Sequence, residues 1–341
     1  MTRRLTLVAL ALVAALTLSA CGERKEPTGA PAPQSVRLML DYFPNADHAG
    51  IYAAQANGDF RRAGLNVAVQ VPSDPAAPLK LLAAGRVDLA ISYEPELLLA
   101  RDKGLKLVAV GAIVQKPLTS IMSIGKDAIS DPAQLKGKTV GTAGIPYQSA
   151  YLKTILARAN VDPSSVKEVN VGFNLVPAMK TKKVDATLGA FWNYEGVQLR
   201  LQHQHPKIIR METVGVPTYQ ELIIVARQQD LAEGGEKVRR FMRALGQGYG
   251  ALKTDPNVGV DPLLKANPDL DRTLQVASVK ATLPVFAAPA GRPFGWMEPS
   301  QWQSYGTWMF DNKLLDHPPN AAQALTDEFL PGQGLADTGD G

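Results

Sequence analysis

One cysteine among 341 residues leaves Cys21 with no partner in the chain, which excludes an internal disulfide and makes the packed core responsible for the fold. Histidine is scarce too. Of the four, His48, His203, His205 and His317, only His203 and His205 are close, and a spacing of two does not put both rings on one helix face, so no metal site is expected. Neither a Gly-x-Ser-x-Gly elbow nor a Walker loop occurs, and His48 has no evident nucleophile to serve as a base; an enzyme is not expected, nor is a cofactor. A formal charge of only +4 argues against a nucleic-acid partner. Beyond the first residues, no apolar run reaches the roughly 18 to 20 residues of a membrane span.

What is present starts with an export signal. Arg3 and Arg4 precede an apolar run over 5–18 and the exit Leu18-Ser-Ala-Cys21, so residues 1–20 read as a secretory leader. That exit resembles a bacterial lipobox. In such a sequence Cys21 is diacylated, and two chains at about 0.8 kcal/mol per buried methylene make a stable anchor. Residues 21–35, with Pro27, Pro31 and Pro33, read as a lipidated tether, and 331–341 as a disordered tail. The expected location is extracytoplasmic, on the cell membrane.

From Val36 the pattern alternates between strand and helix. Strands are predicted over 36–40, 66–71 and 87–91, with helices over 48–57 and 78–84, a helix opening at Pro95 and an apolar run over 105–114. A second set begins near Leu135, with strands over 139–142, 166–171 and 184–188 and helices over 148–159 and 176–182. Further strands are expected over 208–211 and 222–226, then helices over 236–253, 271–282 and 299–315 packing back on the first half. The fold class is α/β, with mixed, mostly parallel sheets. Residues 36–125 plus 220–330 are expected to form one lobe and 126–219 the other, with crossovers near Gly125 and over 213–219.

An internal echo joins the halves. Residues 81–92 and 178–189 share a helix, a basic turn, Val-Asp and an apolar strand, and run on into Tyr93-Glu94 and Trp192-Asn193-Tyr194-Glu195. Ligands of open parallel sheets bind beyond the carboxyl ends of strands, so two such ends facing each other would make a two-sided pocket. Residues 139–147, Thr-Val-Gly-Thr-Ala-Gly-Ile-Pro-Tyr, end a strand and open a helix. Gly144 and Tyr147 are therefore candidates for holding a ligand oxygen on exposed N–H groups, although glycines at such turns are commonly turns alone.

The stretch Asp41-Tyr-Phe-Pro-Asn-Ala-Asp-His48 resembles the opening motif, Asp-Trp-x-Pro-Asn-x-x-His-x-Gly, of the solute-binding lipoproteins of ABC importers that bind thiamine-pyrimidine precursors. Asp41, Pro44, Asn45, His48 and Gly50 are in register, and Tyr42 stands in the Trp place. The likeness extends to the cytosolic pyrimidine synthases of fungi and covers about 36–227. It implies a two-lobed periplasmic-binding-protein type II fold with a ligand cleft between the lobes, an aminopyrimidine ligand, an ABC permease as partner and a monomer. A flat aminopyrimidine calls for aromatic faces and an in-plane carboxylate or amide. Tyr42, Tyr93 and Trp192 are expected to supply faces and Glu94, Asn193 and Glu195 the edge, with Asp41, Asn45 and His48 added by the motif. Riboflavin, a sulfonate or another heteroaromatic is the alternative cargo; the synthase reading lacks the cysteine-rich motif of the fungal relatives.

Overall fold

The computed structural model describes residues 33–333, so the leader, Cys21 and nearly all of the tether and tail lie outside the described residues. The chain runs β1 (Gln34–Met39), α1 (Ala49–Asn57), α2 (Asp59–Arg62), β2 (Leu65–Gln70), α3 (Pro78–Ala83), β3 (Leu89–Ser92), α4 (Glu94–Asp102) and β4 (Leu107–Ala112). It continues with β5 (Thr119–Ser123), β6 (Thr139–Thr142), α5 (Pro146–Arg158), β7 (Lys167–Asn170), α6 (Leu175–Lys180), β8 (Ala186–Phe191), α7 (Glu195–Leu201) and β9 (Lys207–Arg210). β10 (Ile223–Arg227) then leads into α8 (Gln228–Leu252), α9 (Asn257–Ala266), α10 (Arg272–Phe286), α11 (Pro299–Asp311) and α12 (Ala321–Ala324).

Two sheets result, in the orders β2-β1-β3-β10-β4 and β7-β6-β8-β5-β9. Each has three parallel strands followed by an antiparallel one, β10 in the first and β5 in the second. Because β5 belongs to the second sheet, the chain leaves the first between Ala112 and Thr119, ahead of Gly125 where the sequence suggested the crossing. Lys116-Pro117 masks this short strand, since proline reads as a break. The return lies between Arg210 and Ile223.

The Val-Asp echo has a structural explanation. In the first sheet, Asp88 donates its N–H to the Arg37 carbonyl at 2.9 Å and accepts the Arg37 N–H on its carboxylate at 2.8 Å. In the second, Asp185 makes the same two bonds to Thr139, both at 2.8 Å. Each aspartate thus registers a central strand against its parallel neighbour one residue before the apolar run begins.

The late helices pack on the first sheet's layer. α8 crosses α1 so closely that a Cβ on Gly248 would lie 2.1 Å from the Gly50 carbonyl oxygen. Its first turns escape a reading by propensity because Gly234-Gly235 disfavours a helix. Tertiary packing overrides that cost: the ring of Phe329 occupies the space beside Gly235, where a Cβ would come within 2.6 Å of it. Among the described residues, no helix is long and apolar enough to cross a membrane.

Candidate functional site

The facing ends of β3 and β8 open onto one cavity between the two sheets. Tyr42, Asn45 and Tyr93 line it from the first half; Ala143, Tyr147, Gln148, Leu175, Gly189, Phe191, Tyr194 and Glu195 line it from the second. Five rings therefore surround it. Tyr93 and Tyr147 lie 5.4 Å apart and tilted, and Tyr93 meets Phe191 edge to face at 6.4 Å. No lysine or arginine is among the lining residues; the one charged group is Glu195.

Glu195 opens α7, where a carboxylate is favoured by the helix N-terminus. One of its oxygens accepts the Phe191 N–H at 2.7 Å. Burial pushes its carboxyl up to about 7 against the stabilising pull of that backbone donor. Opposite, Asn45 caps a 3-10 turn, Ala46–His48, by accepting the Asp47 N–H at 2.8 Å, and its amide donates to the Phe43 carbonyl. The Tyr42 hydroxyl reaches across the cavity to the Gly172 carbonyl at 3.3 Å.

Asp41 and His48 do not line this cavity; they brace it from behind. The Asn45 N–H donates to His48 Nδ1 at 3.1 Å, which requires the ring proton to sit on Nε2. Nε2–H then donates to Asp41 at 2.9 Å, and the second Asp41 oxygen accepts the Tyr93 hydroxyl at 2.7 Å. Both carboxylate oxygens are engaged within the protein, and what they hold in place is the Tyr93 ring.

Three further expectations need correction. Trp192 points away from the cavity, its Nε1–H bonded to the Pro117 carbonyl at 3.0 Å and its face covered by Arg210 at 4.1 Å. Asn193 is fully buried and bridges the halves, donating to Asp47 at 2.6 Å and to Thr282 of α10 at 2.7 Å. Glu94 is also fully buried, and it accepts the Gln220 N–H at 2.8 Å on the return crossing instead of facing a ligand. The physical reason is shared: these residues sit in strand-to-helix turns, where the two-residue alternation that assigns side chains to faces no longer holds. Gly144 sits beside the lining residue Ala143 with φ +79, and a Cβ there would overlap the Asn170 amide.

Gln148, Leu175, Gly189, Phe191 and Tyr194 complete the wall without having been singled out for it. The only available signal was the strand itself. β8 runs to Phe191, three residues past the predicted end, and that extension carries Gly189 and Phe191 to the cavity. Gly189 has φ +116, and a Cβ on it would come within 2.3 Å of the Gln148 amide, so glycine lets Gln148 close the wall. Among the described residues, no group of three or more His, Cys, Asp or Glu could hold a metal ion.

Burial also raises the carboxyls of Asp47, Glu96 and Glu221 to about 7, alongside Glu195. A carboxyl whose folded value exceeds its unfolded one binds protons more tightly when folded, so its contribution is fully present below about 4 and is lost as pH rises through 7. The expected outcome is a higher melting temperature at pH 6 than at pH 8, each such group being worth up to about 1.4 kcal/mol over that interval. Asp88 and Asp102, held low, act with the opposite sign only below the ordinary aspartate range. Calorimetric melts at the two pH values check this; equal stability, or greater stability at pH 8, contradicts it.

A family model described as NMT1/THI5 like matches residues 45–258. The chain is 32% identical over 319 residues to the formylaminopyrimidine-binding protein of Halalkalibacterium halodurans, covering 92% of this chain and 96% of that one. It is 24% identical over 299 residues to the 4-amino-5-hydroxymethyl-2-methylpyrimidine phosphate synthase of Legionella pneumophila, covering 87% of this chain and 92% of that one. Among solved structures it is similar to the alkanesulfonate-binding protein SsuA from Xanthomonas axonopodis pv. citri bound to MOPS, with a TM-score of 0.67 and 19% identity over 87% of this chain and 99% of that chain. The two-sheet architecture is accordingly that of periplasmic binding proteins. The family match spans more than half of the chain, the first of these relatives aligns along nearly all of it, and the chain belongs to the NMT1/THI5-like family.

Proposed function

We propose that this chain is the extracytoplasmic substrate-binding component of an ABC importer, capturing a small aminopyrimidine of the formylaminopyrimidine type and delivering it to the permease. The observation that carries this reading is the cavity itself: five aromatic rings and one carboxylate between two sheets, with no cationic side chain. Rings give faces to a flat heterocycle, and Glu195 gives an acceptor to its amino edge. Stacking adds only about 0.5 to 1.5 kcal/mol per pair beyond buried area, whereas micromolar binding needs about 8. Nearly complete enclosure of the ligand makes up the difference, and it requires the halves to close. They act as two lobes, and the bonds from Asn193 to Asp47 and Thr282 and from Tyr42 to Gly172 latch them.

The charge of the cavity favours one cargo over the others. A sulfonate would meet Glu195 and no lysine or arginine, so likeness of fold to a sulfonate binder does not carry over the ligand. The synthase reading is disfavoured by the single cysteine and by the absence of any His, Cys, Asp and Glu cluster among the described residues. The leader-like start and Cys21 support a lipid anchor on the outer face of the cell membrane.

Titration calorimetry tests this. The expected result is micromolar or tighter affinity for formylaminopyrimidine, undisturbed by excess riboflavin or alkanesulfonate. Binding of either competitor with no response to the pyrimidine would reject the reading.

A further inference from the structure

We infer that Glu221 is the hinge pin of this protein: one buried carboxylate ties both crossing segments together and positions Tyr147, a wall of the cavity. The inference rests on the two-lobed binding reading above and adds to it the residue that governs the lobes' relative motion. Glu221 is fully buried and does not line the cavity. One oxygen accepts the Leu118 N–H at 2.7 Å, the Thr119 N–H at 2.9 Å and the Tyr219 hydroxyl at 2.9 Å. The other accepts the Thr119 hydroxyl at 3.0 Å and lies 3.5 Å from the Tyr147 hydroxyl. Leu118 and Thr119 are on the outgoing crossing, Tyr219 on the return, and Tyr147 on α5. Since Thr119 donates its proton to Glu221, it accepts from Tyr147 at 3.0 Å, which gives a relay from the cavity wall to the hinge.

The neighbouring residue is tied the other way. Gln220 donates its backbone N–H to Glu94 at 2.8 Å and its amide to Gln115 at 2.7 Å and to the Trp296 carbonyl at 2.9 Å, and it accepts the Trp302 indole N–H at 2.8 Å. The backbone on both sides of Glu221 thus belongs to the first sheet's body, since the Leu222 carbonyl accepts the Ile113 N–H at 2.7 Å and β10 begins at Ile223, while the Glu221 side chain reaches out to the crossing and to Tyr147. The chain bends where it passes between the bodies, in the few residues before Leu118 on the outgoing crossing and in those before Gln220 on the return, and Glu221 fastens the two crossings together. A carboxylate suits this place because it alone, among side chains of this size, accepts on two oxygens at once from donors on separate segments.

Electron–electron distance measurements test the pin without depending on the ligand. Spin labels at Lys103 and Lys136, in the chain carrying Cys21→Ser, report the separation of the halves. In the ligand-free protein, Glu221→Leu is expected to broaden the distance distribution about twofold or more, and Tyr219→Phe to broaden it less. Glu221→Gln is expected to restore a narrow distribution, because its amide oxygen can take the three-donor position while its NH2 donates to the Thr119 and Tyr147 hydroxyls. Circular dichroism verifies that each variant is folded. A folded Glu221→Leu protein with the parent distribution overturns the inference; should that variant not fold, an unchanged distribution in Tyr219→Phe overturns it. If the variants broaden as expected but the parent does not close on formylaminopyrimidine, the ligand assignment fails and the hinge pin stands.

Discussion

Replacing Glu195 by alanine lowers affinity for an aminopyrimidine about ten- to a hundredfold, which titration calorimetry would read directly. The magnitude follows from the loss of one hydrogen bond to a charged group, about 1.5 to 3 kcal/mol, at 1.4 kcal/mol per factor of ten. Glu195 is the only charged residue lining the cavity, and the Phe191 N–H holds one of its oxygens in place, so the carboxylate is already oriented when a ligand arrives. Glu195→Gln keeps an acceptor and is expected to lose less. The pH dependence adds a second readout. With the carboxyl near 7, it is mostly protonated at pH 6 and mostly ionised at pH 8. A ligand amino group prefers the ionised form, so affinity rises from pH 6 to pH 8 in the parent and stays level in Glu195→Gln. Unchanged affinity in the alanine variant would mean that the edge contact lies elsewhere on the wall.

Asp41→Ala acts through a different route, on stability first and on binding second. The carboxylate is buried and receives two buried donors, His48 Nε2–H and the Tyr93 hydroxyl. Alanine leaves both without an acceptor, at about 1 to 3 kcal/mol each, so the protein is expected to lose about 2 to 6 kcal/mol of stability. Tyr93 also loses the bond that fixes its ring against the cavity, and affinity is expected to fall although Asp41 does not line the cavity. Asp41→Asn separates the two effects. Its amide oxygen can accept from His48 and its NH2 can donate to the Tyr93 oxygen, so most of the stability and affinity return. Thermal melts and calorimetry on both variants check this. A full loss of affinity in Asp41→Asn, with the melting temperature kept, would instead place Asp41 in direct contact with the ligand.

Alternation and helical periodicity made most of the α/β layering readable, and the failures are instructive because each has a physical cause. β5 was hidden behind Lys116-Pro117, α9 carries Pro262 within it, and the first turns of α8 contain Gly234-Gly235. In the two helices, a residue that disfavours a helix in isolation is tolerated because a neighbouring element supplies the missing stability, whereas β5 simply starts two residues after Pro117. At the site, residues on the strand ends and the opening motif were found by pattern: Tyr42, Asn45, Tyr93, Tyr147 and Glu195 all reach the cavity. The motif's other members, Asp41 and His48, lie behind the lining residues Asn45 and Tyr93 and bond to them, a difference that a one-dimensional pattern does not carry.

What this sequence determined alone is the kind of fold: two α/β sets joined by an echo, with aromatic and acidic residues gathered at strand ends. Local periodicity encodes these because side-chain direction in a strand or helix depends only on neighbours along the chain. Tertiary structure alone decided which residues line the cavity, that Trp192, Asn193 and Glu94 do not, and that Glu221 and Tyr147 meet at the crossings. Those outcomes depend on turns and on contacts between residues up to 146 positions apart, where orientation is set by the packing of whole elements and leaves no repeat in the sequence.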